Sequence, residues 1–96
     1  MLVELVEVNW ETFAGEYKLQ LGEVYVNPEQ IISVRRDERA ESLLQEGALP
    51  PELNASHSFS RVTIRSGLRP HEIRVIGTPA QIVEKCRSSK RTLLKG

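Results

Sequence analysis

The chain has 96 residues, 40% of them hydrophobic and 27% charged, with a formal net charge of zero, which fits one domain with a single modest core. No apolar run approaches the ~20 residues of a membrane-spanning helix, and early glutamates without a preceding basic residue argue against a signal peptide. Because the single cysteine, Cys86, cannot form an internal disulfide, we expect a cytoplasmic protein that does not insert into membranes.

The first third of the chain predicts short strands separated by turns. These strands are Leu2–Val8, Tyr17–Leu21, Val24–Val26 and Ile31–Val34. The imperfect alternation of the first one indicates either a bulge or burial on both faces. Residues 9–16 are typical of a connection, Gly22–Glu23 of a tight turn, and the sequence NPEQ at 27–30 of a turn that Asn27 caps.

Residues 37–60 predict a long, mobile connection that contains one short helix. Asp37 is a candidate N-cap, and the apolar residues that follow it extend to a stop signal at Gly47. Residues 48–60 combine two adjacent prolines with small polar residues, a composition typical of a loop. A connection of this length is uncommon in a compact domain unless it carries structure or function.

Residues 61–76 predict a β-hairpin. Val62 and Ile64 alternate with polar neighbours, and Ile73 and Val75 do the same after the loop SGLRPH. The register in which Val62 lies opposite Val75, and Ile64 opposite Ile73, also pairs Arg65 with Glu72. A slip of one residue would place the apolar side chains on the wrong face, so we predict this register.

The sequence TPAQ predicts the start of a helix. Thr78 is a favourable N-cap, Pro79 suits the first helical position, and Gln81 completes a capping box. An apolar stripe that includes Ile82 and Cys86 follows at helical spacing. We predict a helix over 78–87 that ends at two serines, followed by a basic tail.

These elements predict a single α+β domain over residues 1–96. Its fold class is a small antiparallel β-barrel or strongly bent sheet of about six strands, closed by the C-terminal helix. The apolar residues of alternating strands and of the helix stripe would form its core.

Charge is distributed very unevenly along the chain. Residues 1–30 contain six glutamates and one lysine, whereas residues 60–96 contain nine basic residues and two glutamates. Such asymmetry indicates either pairing within the fold or a basic surface for an anionic partner. Arginine side chains on one hairpin face and on the helix would suit phosphate oxygens. The candidate phosphate-binding residues are Arg61, Arg65, Arg69, Arg74, Lys85 and Arg87.

No sequence pattern predicts catalysis, a metal site or a cofactor. His57 and His71 are isolated, no Cys or His pair has metal-ligand spacing, and Cys86 lies on an apolar helix stripe that favours a packing role. Candidate contacts to a protein partner are the lone tryptophan and two leucines of the short helix, because large apolar side chains dominate interfaces. These residues are Trp10, Leu43 and Leu44.

Two blocks of the chain, EVYVNPEQIISV and RVTIRSG followed by EIRVIGTPAQIVEKC, carry a family pattern. Together they resemble the small flagellar and swarming-motility proteins of the FlbD/SwrD type, over about half of the chain. The matching positions are Val26, Asn27, Ile31, Val34, Thr63, Ile64, Gly67, Val75, Ile82, Val83 and Lys85. The resemblance implies strands, a glycine turn and a short helix, and it implies no catalytic residues.

The sequence therefore favours a non-enzymatic interaction or regulatory module that acts through a protein partner, with self-association as a further expectation. The alternative is a protein that binds phosphate-bearing ligands, either nucleic acid or a small nucleotide, through its basic C-terminal half. A microbial or viral factor that modulates a host machine fits either hypothesis.

Overall fold

The protein is described by a computed structural model that covers residues 1–45 and 57–95, with the backbone alone for 12–13, 16–19, 44–45 and 89–95. Five strands, two α-helices and one 3-10 helix make up the described chain. In order they are β1 (Val3–Phe13), β2 (Glu16–Val26), the 3-10 helix (Pro28–Gln30), β3 (Ile31–Arg36), α1 (Glu38–Gln45), β4 (Phe59–Ser66), β5 (Arg69–Ile76) and α2 (Pro79–Lys95).

The strands form one antiparallel sheet in the order β2-β1-β5-β4-β3. The α+β class and the C-terminal helix are thus confirmed, whereas the predicted barrel or strongly bent sheet of six strands is wrong. The sheet is open because β2 and β3 lie at its two edges and do not pair with each other. There are five strands because the segments predicted as Tyr17–Leu21 and Val24–Val26 are one continuous strand.

Strands β1 and β2, each of eleven residues, form a hairpin with an unbroken register from Val3 opposite Val26 to Phe13 opposite Glu16. Its turn is Ala14–Gly15, where both residues have positive φ, 54° and 81°, as a type I′ turn requires. The predicted connection over 9–16 is therefore largely strand. The predicted turn at 22–23 is wrong, since Gly22 pairs with Glu7 inside the hairpin.

Each face of the sheet contains a separate core cluster. On one face, Leu5 and Val75 pack with Ile82 of α2. On the other face, Val8 packs with Phe59 and with Ala40 of α1. Burial on both faces explains the imperfect alternation of β1, which pairs with β2 without a bulge.

Strands β4 and β5 form the predicted hairpin, but their register differs from the prediction by two residues. Val62 lies opposite Ile73, and Thr63 lies opposite Glu72. A two-residue turn, Gly67–Leu68, joins the strands, and Gly67 has a φ of 64°, which suits the first central position of a type II′ turn. The predicted six-residue loop is therefore wrong.

The short helix and its N-cap are confirmed. The backbone N–H of Ala40 donates to Asp37 Oδ1 at 3.1 Å, and α1 follows directly. Most of the predicted mobile loop over 48–60 lies outside the described residues. Its last two residues are not loop, because Phe59 and Ser60 are buried at the start of β4.

Helix α2 begins with the predicted capping box. The N–H of Gln81 donates to Thr78 Oγ1 at 3.1 Å, and the N–H of Thr78 donates to Gln81 Oε1 at 2.8 Å. The helix runs past the predicted end near residue 87 to Lys95, since neither glycine nor proline interrupts it and serine is a weak helix breaker. Within the described residues, no helix is long and apolar enough to cross a membrane.

Gly77 joins β5 to α2 in a conformation that favours glycine. Its φ is 127°, and a Cβ at this position would lie 3.3 Å from Ile82 Cδ1. Its N–H donates to the carbonyl of Ser58 at 2.8 Å, and its carbonyl accepts from Ser60 Oγ at 2.7 Å. The start of α2 is thereby tied to the start of β4.

Replacing the N-cap, Thr78→Ala, is expected to lower the free energy of unfolding by about 1 kcal/mol, because the N–H of Gln81 loses its acceptor. The measurement is the urea midpoint followed by circular dichroism. Thr78→Ser keeps the hydroxyl and serves as the control, with a midpoint close to that of the parent chain. Equal midpoints for all three proteins would contradict the cap.

Candidate functional site

A polar notch of about 180 Å³ lies between β1 and β5. The only described register pair between these strands is Glu7 with Val75, and the notch lies on the side of this pair toward Arg69, where β5 begins. Two of the predicted phosphate-binding arginines and the predicted partner-contact tryptophan meet in this notch. Its lining is Glu7, Val8, Asn9, Trp10, Arg61, Glu72, Ile73 and Arg74.

Arg74 is held from two sides in the notch. Its Nε donates to Oδ2 of Asp37, a carboxylate with 1% of its surface exposed. Its guanidinium lies 4.2 Å from the centroid of the Trp10 ring, which adds a cation–π contact. Arg74 and Trp10 thus join α1 to the sheet, and the positive charge of Arg74 is already compensated.

Arg61 lies opposite Arg74 on the neighbouring strand. Its Nη1 is 3.5 Å from Glu72 Oε1, and both side chains are about half exposed. Its Nε is buried without a hydrogen-bond partner among the described residues. The notch offers one unused donor, but Asp37 and Glu72 balance the two arginines, so it exerts little net attraction on an anion.

The turn between β4 and β5 carries two further predicted arginines and forms a second feature, the basic tip, defined as Arg65, Leu68 and Arg69. Leu68 is fully exposed, at 104% of its reference area. Neither arginine makes an ion pair with any described residue. Beside the tip, Ile32 of β3 helps to line a groove of about 310 Å³. The tip therefore presents an apolar side chain between two available positive charges.

The third feature lies on the β1–β2 hairpin, and the sequence did not predict it. It is the side of the hairpin away from α2, and we call it the hairpin face. Tyr25 and Leu21 are 55% and 48% exposed there, and two glutamates and a half-buried valine lie beside them. The members of the hairpin face are Glu4, Val6, Leu21, Glu23 and Tyr25.

The electrostatics of the hairpin face are negative. The Tyr25 hydroxyl donates to Glu4 Oε2 at 3.4 Å. The charge of Glu4, followed by that of Glu23, raises the pKa of Tyr25 above its ordinary value, since ionised tyrosine would lie beside two carboxylates. Tyr25 therefore stays a neutral donor at physiological pH, and the surface combines an aromatic ring with two carboxylates.

The remaining candidate residues lie elsewhere. Lys85 extends from α2 to the backbone carbonyl of Glu4, 3.4 Å away, and Arg87 lines a small groove with Cys86 on the other side of the helix. Leu43 packs in part against the core cluster on the α1 side, and the side chain of Leu44 lies outside the described residues. The predicted basic residues are thus divided among the notch, the tip and α2.

Nothing in the described chain assembles a metal site: residues 1–45 and 57–95 contain no group of three or more His, Cys, Asp or Glu side chains placed to hold an ion. Comparison of the chain with protein-family models, curated proteins and solved structures found no match. The resemblance to the FlbD/SwrD type therefore stays a prediction.

Proposed function

We propose that this protein is a non-enzymatic interaction module that docks a protein partner on the hairpin face. The supporting observation is the exposure of Tyr25 and Leu21 on one face of a single strand, with Glu23 between them. Large apolar and aromatic side chains grouped on a surface are typical of binding sites.

The charges of the hairpin face define the chemistry of the partner. Glu4 lies opposite Tyr25, Glu23 lies between Tyr25 and Leu21 on the same face, and both carboxylates are exposed. A segment with a large apolar residue between arginines or lysines would bury its apolar side chain on Tyr25 and pair its charges with these carboxylates. The proposed partner is therefore a basic, partly apolar protein segment.

The phosphate-binding alternative has less support. Arg74 is engaged by Asp37 and Trp10, and Arg61 by Glu72. Lys85 and Arg87 lie on α2, and only Arg65 and Arg69 remain together at the tip. Two arginines release few counterions, so nucleic-acid binding through the tip alone would be weak and only modestly dependent on salt.

The test is site-specific photo-crosslinking in the native cells, with a benzoylphenylalanine residue in place of Tyr25. We expect a crosslinked protein whose attached peptide combines basic and apolar residues. The same label in place of Ala80, which is exposed on α2, is the matched control and should not yield that product. Adding Leu21→Ser to the Tyr25-labelled protein should remove most of the product.

Two results would count against the proposal. One is the absence of any specific product from the Tyr25 label. The other is tight binding of nucleic acid or a nucleotide at low salt that Arg65→Gln/Arg69→Gln abolishes, which would favour the alternative. Arg74 is left unchanged in that experiment because its loss would disturb the contact with Asp37.

A further inference from the structure

We propose that a partner for the hairpin face is the basic tip of a second copy of this chain, so that the protein self-associates head to tail. This inference rests on the proposed function, because it fills the same surface. The two features have opposite charge, and each carries exposed apolar area.

The two features match in arrangement. Glu4 lies opposite Tyr25 and Val6 lies opposite Glu23, so the two carboxylates occupy diagonal positions about 7–8 Å apart between Cα atoms. At the tip, Leu68 projects fully into solvent from the turn, and the register places Arg65 and Arg69 on opposite faces of the β4–β5 hairpin, one on each side of it. In the docked arrangement Leu68 contacts Tyr25 and Val6, and each arginine fork meets a carboxylate.

A single chain cannot make this contact with itself. Arg69 begins β5 six residues before Val75, and Glu4 precedes Glu7, the partner of Val75, by three residues on the antiparallel strand β1. The two residues therefore lie on opposite sides of this pair. At about 3.4 Å per residue, the tip and the hairpin face are separated by roughly 30 Å along the strands. They lie toward opposite ends of a sheet, where two chains placed end to end would bring them together.

The geometry of the contact determines the type of assembly. It joins different surfaces of the two copies, so each added copy leaves one free tip and one free hairpin face. Such heterologous contacts give open chains or closed rings. The patches are small, so we expect a weak, reversible association that salt suppresses.

The test uses two charge-reversed variants, Arg65→Glu/Arg69→Glu and Glu4→Lys/Glu23→Lys. By sedimentation velocity at low salt, the parent chain should form species larger than the monomer as its concentration rises. Each variant alone should associate at least tenfold more weakly. An equimolar mixture should associate again, because the intact tip of the second variant meets the intact hairpin face of the first.

Controls separate this contact from general charge effects and from misfolding. Arg35→Glu/Arg39→Glu makes an equal change of charge at exposed positions outside both patches, and it should associate like the parent chain. Leu68→Asp alters one fully exposed turn residue and should weaken association at least tenfold. It tests the proposal independently if a double variant fails to fold.

A parent chain that stays monomeric at millimolar concentration and low salt would overturn self-association. So would a mixture of variants that stays monomeric, or a Leu68→Asp chain that associates like the parent. The proposed function fails separately: if the parent is monomeric but the Tyr25 label captures another protein, the hairpin face remains a docking surface. If that label captures nothing, both proposals fail.

Discussion

Asp37→Ala is expected to lower the free energy of unfolding by about 3 kcal/mol, a large effect for the loss of one carboxylate. Asp37 is almost fully buried, pairs with Arg74 and accepts the N–H of Ala40. Removing one partner of a buried ion pair leaves the other charge without compensation. The loss of the cap alone would cost about 1 kcal/mol. The measurement is urea unfolding followed by tryptophan fluorescence and circular dichroism.

Two further variants separate the contributions of Asp37. Asp37→Asn keeps an acceptor for the cap and removes the charge. We therefore expect it to lower the free energy of unfolding, but by less than Asp37→Ala does. Glu38→Ala removes an exposed carboxylate from the adjacent position and should change the free energy of unfolding by less than about 0.5 kcal/mol. Similar values for Asp37→Ala and Glu38→Ala would show that the Arg74 contact contributes little.

Asp37 also shows how far sequence reasoning extends. Its role as an N-cap was predictable, because capping depends on residues within one helical turn. Its ion pair with Arg74 joins residues 37 positions apart and depends on which strand lies next to α1. The capping box at Thr78 was predictable for the same reason as the N-cap.

The first hairpin was not predicted because its turn has no strong signal. Type I′ turns favour Asn-Gly or Asp-Gly, whereas this turn is Ala14–Gly15. The more conspicuous Gly22–Glu23 predicts a turn instead, which divides β2 into two strands. Because this prediction places Leu21 and Tyr25 on different strands, it does not indicate that they share the hairpin face.

The predicted register of the second hairpin is wrong for a different reason. A shift of two residues keeps every side chain on the same face, so alternation alone cannot distinguish the two registers. The choice depends on the turn, and the two-residue turn at Gly67–Leu68 matches the twist of the strands. Arg61 thereby pairs with Arg74 instead of lying near residue 76.

The distribution of charge over the sheet bears directly on the proposed function. The arginines at the centre of the sheet are compensated by Asp37 and Glu72, neither of which belongs to the acidic N-terminal segment. Two patches of available charge lie toward its ends, a positive one at the basic tip and a negative one on the hairpin face. A protein with no net charge can thus present two surfaces of opposite sign.

Phe59→Ala is expected to lower the free energy of unfolding by about 3–5 kcal/mol, the usual cost of truncating a buried phenylalanine. Phe59 has no exposed surface and packs with Val8 and Ala40, so it joins β1, β4 and α1. The loss should appear as a lower urea midpoint with an unchanged dependence on urea concentration. Leu68→Ala truncates a fully exposed side chain and should change the value by less than about 0.5 kcal/mol. A small effect of Phe59→Ala would place Phe59 in a loop, as the sequence predicted, and would contradict the core on the α1 side of the sheet.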